Sequence, residues 1–176
     1  MFATIYLPNF FLQAAFRHQD QSSDTPSGVI DEQDKKTLLL QLNHAAIAAG
    51  VRLGMTPSQG LARCLHLLIK PRSAAQEQAV QDILLHYAFT LSPYIEATGP
   101  GLCTIAFDHN RDLQEKVRQV IAQLAAGGMI AQAGLGHTPD TSLLAAHLAR
   151  PVLQINHPKE FLDPLPIETL AIGLES

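Results

Sequence analysis

Residues 2–15 read FATIYLPNFFLQAA. The first six alternate as a strand does, and Ile5 and Tyr6 favour extended backbone. Pro8 ends the strand and suits the first turn of a helix. Phe10, Phe11, Ala14 and Ala15 then recur at helical spacing. Nothing in the stretch carries a full charge, and Arg17 is the first residue that does. Such a segment has to be buried, so this strand–helix unit belongs to a core.

The chain beyond it is read from the same signals. HQDQSSDTPS, 18–27, is polar and turn-rich, and GVI at 28–30 is a short strand candidate. DEQDKK at 31–36 is a charged turn. LLLQLNHAAIAAG opens as a strand, turns helical from Asn43 and is capped by Gly50. Thr56-Pro57-Ser58-Gln59 has the composition of a capping box and predicts a helix through GLARCLHL. LLIKP is a short strand or an extended exit. SAAQEQAVQDILLHYAFT, 73–90, predicts a helix capped by Ser73, with Ala79, Ile83, Leu84 and Tyr87 on one face. YIEATG and GLCTIAF flank Gly99-Pro100-Gly101 as a hairpin. Asn110 is expected to cap a helix ending at Gly127-Gly128. MIAQAGLG then reads as a buried strand, Thr138-Pro139 as a helix start and VLQIN as a short strand. The order predicts an α+β fold: a sheet covered by helices on one side, close to a split βαβ arrangement.

Composition sets limits on function. Of 176 residues 47% are hydrophobic and 16% charged, which fits a globular chain with a sizeable core. A net charge of −4 gives no overall attraction for nucleic acid. Arg52, Arg63, Lys70 and Arg72 lie close together in sequence, and a solvated face is the expectation for them. Cys64 and Cys103 sit in apolar contexts and read as free thiols. There is no secretory signal at the start and no apolar run long enough to span a bilayer. A cytoplasmic protein is expected.

Four stretches in one order carry a resemblance. They are FATIYLPNFFLQAA, then NHAAIAAGVRLGMTPSQGLARC with its AxxxGVRxGM core, then FTLSPYIEATGPGLCTIAF, then GMIAQAGLGHTPDTSLLAAHLARP. Together they resemble the palm and fingers of Y-family translesion DNA polymerases, from residue 2 to about 155. The resemblance implies a palm with a ferredoxin-like antiparallel sheet and covering helices at 1–17 and 73–155. It implies a small, mostly helical fingers subdomain at 18–72, and a linker toward an absent thumb at 156–176. On this reading the chain is a fragment of a longer protein.

That family transfers phosphoryl groups with two Mg²⁺ ions, which need hard oxygen ligands. The resemblance places two aspartates at the end of the first strand and an Asp-Glu pair at the start of a later one. Here those positions hold Tyr6, Pro8, Gly101 and Leu102, so all four carboxylates are missing. The triphosphate-holding tyrosine and arginine of the family correspond to His44 and Ile47, and its lysine before proline corresponds to Arg150. Phe11 matches the residue that closes on the sugar and is read here as core packing.

The pattern is similar to the ImuB-like branch, homologues regarded as catalytically inactive. This likeness implies a non-catalytic adaptor in damage-induced, SOS-type mutagenesis, associated with the nucleoid and binding no metal or cofactor. Its implied partners are an accessory protein, an error-prone C-family polymerase and, through regions outside this chain, the sliding clamp. DNA contact is implied to be weak or indirect.

One alternative comes from the residues alone: a small α+β nucleotide-binding domain or phosphoryl-transfer enzyme with a metal site in DHNRD. Asp108, His109 and Asp112 would supply the ligands, while a turn with a helix cap and acidic first-turn residues explains the same letters. AGLGHTPD lacks a full phosphate-loop pattern and reads as tight strand–helix packing. The histidines show no zinc spacing, Ser22, Ser23 and Ser92 have no nucleophile context, and Glu96 is a lone carboxylate near the hairpin.

Overall fold

The computed structural model describes residues 1–17, 24–32, 37–108 and 112–166. They form two compact units. One comprises Met1–Pro8 and the chain from Gln81 onward, the other Asn9–Val80.

The first unit is built on a five-stranded sheet. Its strands are β1 (Phe2–Tyr6), β5 (Ile95–Gly99), β6 (Leu102–Ala106), β7 (Gln132–Gly136) and β8 (Val152–Gln154), in spatial order β5-β6-β1-β7-β8. β1 pairs antiparallel with β6 and β7, β5 pairs antiparallel with β6, and β8 runs parallel to β7. The helices between the strands are α4 (Ala74–Phe89, entering this unit at Gln81), α5 (Leu113–Ala126) and α6 (Pro139–Leu148). Removing β8 leaves the order 4-1-3-2 of a ferredoxin-like sheet, as expected of the palm. A further short helix, α7, spans Pro158–Leu162.

Period two explains how β1 is placed. Ala3, Ile5 and Leu7 point to one face and are fully buried. Thr4 and Tyr6 point to the other. There the Thr4 hydroxyl meets Ser142 Oγ on α6 at 2.7 Å and Thr104 Oγ1 on β6 at 3.3 Å. Helix α6 comes close to the sheet because β7 carries Gly134 and Gly136 beneath it. A Cβ on Gly134 would overlap the backbone of Ala146 and Ser142. AGLGHTPD is thus a close-packing motif, and Thr138 caps α6 through a capping box with Thr141.

Three details differ from the sequence expectations. Helix α5 starts at Leu113 behind Asp112, which stands at φ 55°; Asn110 falls outside the described residues. Along α4 the buried positions are Val80, Leu84 and Ala88; of the expected face Leu84 is buried, Ile83 and Tyr87 are half-buried and Ala79 is exposed. Helix α1 (Phe10–Phe16) starts later than Pro8, behind Asn9 at φ 51°, a left-handed conformation that asparagine tolerates.

The second unit holds α1, α2 (His44–Ala48), α3 (Pro57–Arg63) and a three-stranded sheet of order β3-β2-β4. Its strands are β2 (Ser27–Ile30), β3 (Leu39–Leu42) and β4 (Leu68–Pro71), the three short runs that read as extended. The fingers therefore contain a sheet as well as helices. Asn43 caps α2, and Thr56 with Gln59 forms the expected capping box of α3. α3 stops at Arg63, partway through GLARCLHL, and Leu67 packs with Leu39, Leu42, Ala46 and Val51. Residues 18–23 and 33–36, expected as loop and charged turn, lie outside the described residues. No helix among the described residues is long and apolar enough to cross a membrane.

Candidate functional site: the end of the first palm strand

β1 ends at Tyr6, whose strand partners are Leu102 on one side and Gln132 on the other. The hairpin is drawn onto this end by Leu7 N–H, which donates to Gly101 O at 2.9 Å. Gly101 makes the turn at φ 69°, which favours glycine. Gln81 of α4 holds both sides of the turn: Gly101 N–H donates to its Oε1 at 2.9 Å, and its Nε2 donates to Leu102 O at 3.4 Å. Ser92 fixes the far end of the hairpin by donating to Ala106 O at 2.7 Å and accepting from Tyr94 N–H at 3.2 Å. Tyr6, Pro8, Gly101 and Leu102 are thus gathered at one end of the sheet.

Neutral groups pack against Tyr6 at this end of the sheet, with the Arg150 guanidinium beyond Gln132. The Tyr6 ring packs against His147 of α6 with centroids 4.2 Å apart and a 44° tilt. Burial pushes the Tyr6 hydroxyl up from its ordinary value and the His147 imidazole down. Near neutral pH both rings are uncharged. Leu102 is 9% exposed. Gln132, with its amide turned to satisfy both neighbours, donates to Ala146 O at 3.2 Å and accepts from Arg150 Nη1 at 3.2 Å. Arg150 Nη1 also donates to Ala149 O at 2.9 Å. A phenol, a proline ring, a glycine and a leucine offer Mg²⁺ no carboxylate, so this donor set does not fit the ions the fold family uses. Glu96 stands on the edge strand β5, exposed and paired in register with Thr104.

Phe11, His44 and Ile47 belong to the second unit. His44 and Ile47 are exposed on α2, one turn apart. Phe11 packs beside Leu12, Ala15, Phe16 and Val29, and the Arg72 guanidinium lies over its ring at 3.8 Å. Arg72 is itself gripped by Glu77 at 2.8 Å and by Asp31 at 3.3 Å. The neighbouring cations are also tied into the structure. Lys70 covers the Phe16 ring and donates to Ala15 O, and Arg52 donates to the Ile47 and Val51 carbonyls. These three cations brace their own unit, while Arg63 at the end of α3 is exposed.

Of the alternative site in DHNRD, His109 lies outside the described residues, while Asp108 and Asp112 are exposed. Among the described residues no three His, Cys, Asp or Glu side chains converge as a metal site. Cys64 and Cys103 are free, with Cys103 buried and Cys64 half-buried.

Sequence reasoning missed Gln81, Gln132 and His147. Their roles depend on strand register and on which side of α6 faces the sheet. Only the helix-cap signal at Thr138 and the glycines of β7 hinted at the latter.

The fold defined by these two units is that of solved Y-family polymerases. DinB from Sulfolobus solfataricus matches with a TM-score of 0.80 at 15% identity, covering 96% of this chain and 52% of that one. A post-insertion binary complex of Dbh DNA polymerase matches with a TM-score of 0.83 at 16% identity, over 96% and 52%. An insertion ternary complex of the same polymerase gives 0.81 at 16%, over 96% and 53%. The chain spans about half the length of these polymerases. A model of the impB/mucB/samB family matches residues 5–147, and the chain belongs to that family of Y-family polymerase relatives. No curated protein matches it.

Proposed function

We propose that this chain is the palm and fingers portion of a non-catalytic, ImuB-like member of the family, an adaptor in damage-induced translesion synthesis. One observation carries the reading. At the end of β1, where the family's resemblance calls for four carboxylates, the chain places Tyr6, Pro8, Gly101 and Leu102, and it packs Tyr6 against His147. Burying carboxylates without a cation costs several kcal/mol, about 3–5 for an unpaired charge, and this chain avoids that cost with neutral groups. Once released from metal binding, the palm serves as a scaffold. Its partners are the accessory protein, the error-prone C-family polymerase and the sliding clamp implied by the likeness, and DNA is a weak partner of this portion.

Primer extension with the purified chain and Mg²⁺ or Mn²⁺ tests the proposal. No template-dependent incorporation is expected. Incorporation that depends on the metal, and that disappears when Leu102→Ala or Tyr6→Ala disturbs this end of the sheet, contradicts it.

A further inference from the structure

Helix α1 lacks the local features that let a short helix stand by itself. It spans Phe10–Phe16, about two turns, and an isolated helix of that length is marginal in water. Asn9 stands before it in a left-handed conformation and gives it no side-chain cap. Its first turn has no acidic residue and its last turn no basic one. The free N–H groups at one end and the free carbonyls at the other need partners from elsewhere in the fold.

The three-stranded sheet provides them from one cross-strand row. Val29 of β2 pairs in register with Gln41 of β3 on one side and with Lys70 of β4 on the other, so the three side chains share a face. On that face Leu12 N–H donates to Gln41 Oε1 at 3.1 Å. Val29 packs with Leu12, Ala15 and Phe16. Lys70 Nζ donates to Ala15 O at 3.1 Å and lies over the Phe16 ring. The row has the polarity the helix asks for: an acceptor at its positive N-terminal end and an ammonium at its negative C-terminal end. Ile30, the next residue along β2, turns to the opposite face and packs with Leu39, Leu42, Ala46, Val51 and Leu67. No residue of α1 belongs to that second cluster. We infer that α1 is a conditional helix, a strap that is helical only while seated on the row Gln41–Val29–Lys70. It opens as one unit while the three-stranded sheet with α2 and α3 stays folded. The Gln41 and Lys70 ties act on the same opening, since each holds one end of the same two turns. Arg72 adds a contact over the Phe11 ring at 3.8 Å, and is left in place in the test because it also pairs with Asp31 and Glu77.

The inference does not rest on the proposed function, since the seat lies within the second unit whatever the palm does. The test is native-state amide exchange on the whole 176-residue chain. In α1 it is read at Gln13, whose N–H donates to Asn9 O at 2.9 Å and to neither replaced side chain. For the opposite face it is read at Leu39 and Val51, whose N–H groups donate to Met55 O at 2.8 Å and Ala46 O at 3.1 Å. Gln41→Ala should speed exchange at Gln13 about fivefold and Lys70→Met about tenfold, the gain and loss of one hydrogen bond and one charged tie. Together they should speed it by about the product, with Leu39 and Val51 within about twofold of wild type. Gln41→Glu keeps an acceptor at the positive end and should leave Gln13 protected, whereas Gln41→Lys should expose it at least as much as Gln41→Ala does. Several results would overturn the inference. They are Gln13 unmoved by either single variant, a pair no faster than the faster single, or Gln41→Lys protecting as well as Gln41→Glu. Leu39 and Val51 accelerated by the same factor as Gln13 would make α1 and the sheet a single opening unit and overturn it as well.

Discussion

Leu102 stands where the resemblance calls for a glutamate, opposite Tyr6 and 9% exposed. Leu102→Glu should cost about 3 kcal/mol of stability at pH 7, because the carboxylate is buried without a cation. Burial raises the folded-state pKa of that carboxyl above its unfolded value of about 4.3. The penalty is then absent below the unfolded pKa and grows as pH rises toward the folded one. Urea melts at pH 4 and pH 7 should show a variant close to wild type in acid and well below it at neutrality. His147 behaves in the opposite sense. Its folded pKa is lowered by burial from 6.5, so its contribution is present above pH 6.5 and is lost as pH falls below it. His147→Gln should flatten the fall in the urea midpoint between pH 6.5 and 5. An unchanged slope would remove His147 from the account. Burial also raises the Cys103 thiol to about 11, so an alkylating reagent at pH 8 should label it only after unfolding.

At the scale of elements, two contacts determine how the sheet end is built. Gly134 lets α6 lie directly on β7, and Gly134→Ala should cost about 3 kcal/mol or more, since backbone is what the new methyl meets. Gln81 holds the β5–β6 turn, and Gln81→Ala should cost about 1 kcal/mol and speed amide exchange at Gly101, leaving the α6 amides unaffected. The elements themselves were legible in the sequence wherever local chemistry fixes them. Thr56-Pro57-Ser58-Gln59 and Thr138-Pro139 marked helix starts, because a capping hydroxyl acts within three residues. Pro100-Gly101 marked the hairpin. Less legible were features set across the fold. The α4 stripe was read correctly at Leu84 but not at Ala79, Val80 and Ala88, because which face is buried depends on what packs against it. Neither the His147–Tyr6 contact nor the Gln81 brace could be read, since both join residues far apart in sequence.

At the scale of the whole molecule, the order of four weak patterns identified the palm and fingers better than any one of them did. The order of strands in a ferredoxin-like sheet follows from that connectivity. What a sheet of this kind does depends on a few side chains at the end of β1, and here they are neutral. A chain of net charge −4, with Arg52, Lys70 and Arg72 engaged in their own unit, should hold DNA only weakly. Anisotropy with a primer–template should give a dissociation constant above the micromolar range at physiological salt, rising further with salt. Submicromolar binding would return the palm to service as a DNA-holding surface.

With Tyr6, Pro8, Gly101 and Leu102 at the end of β1, the chain is expected to hold no divalent metal with nucleotide there. The most direct test is a titration of Mn²⁺ and a deoxynucleoside triphosphate with the chain, read by the electron paramagnetic resonance signal of free Mn²⁺. This measurement needs no primer, template or thumb. Adding the chain should leave the signal as the nucleotide alone sets it. A saturable, stoichiometric loss of free Mn²⁺ that requires both chain and nucleotide would contradict it.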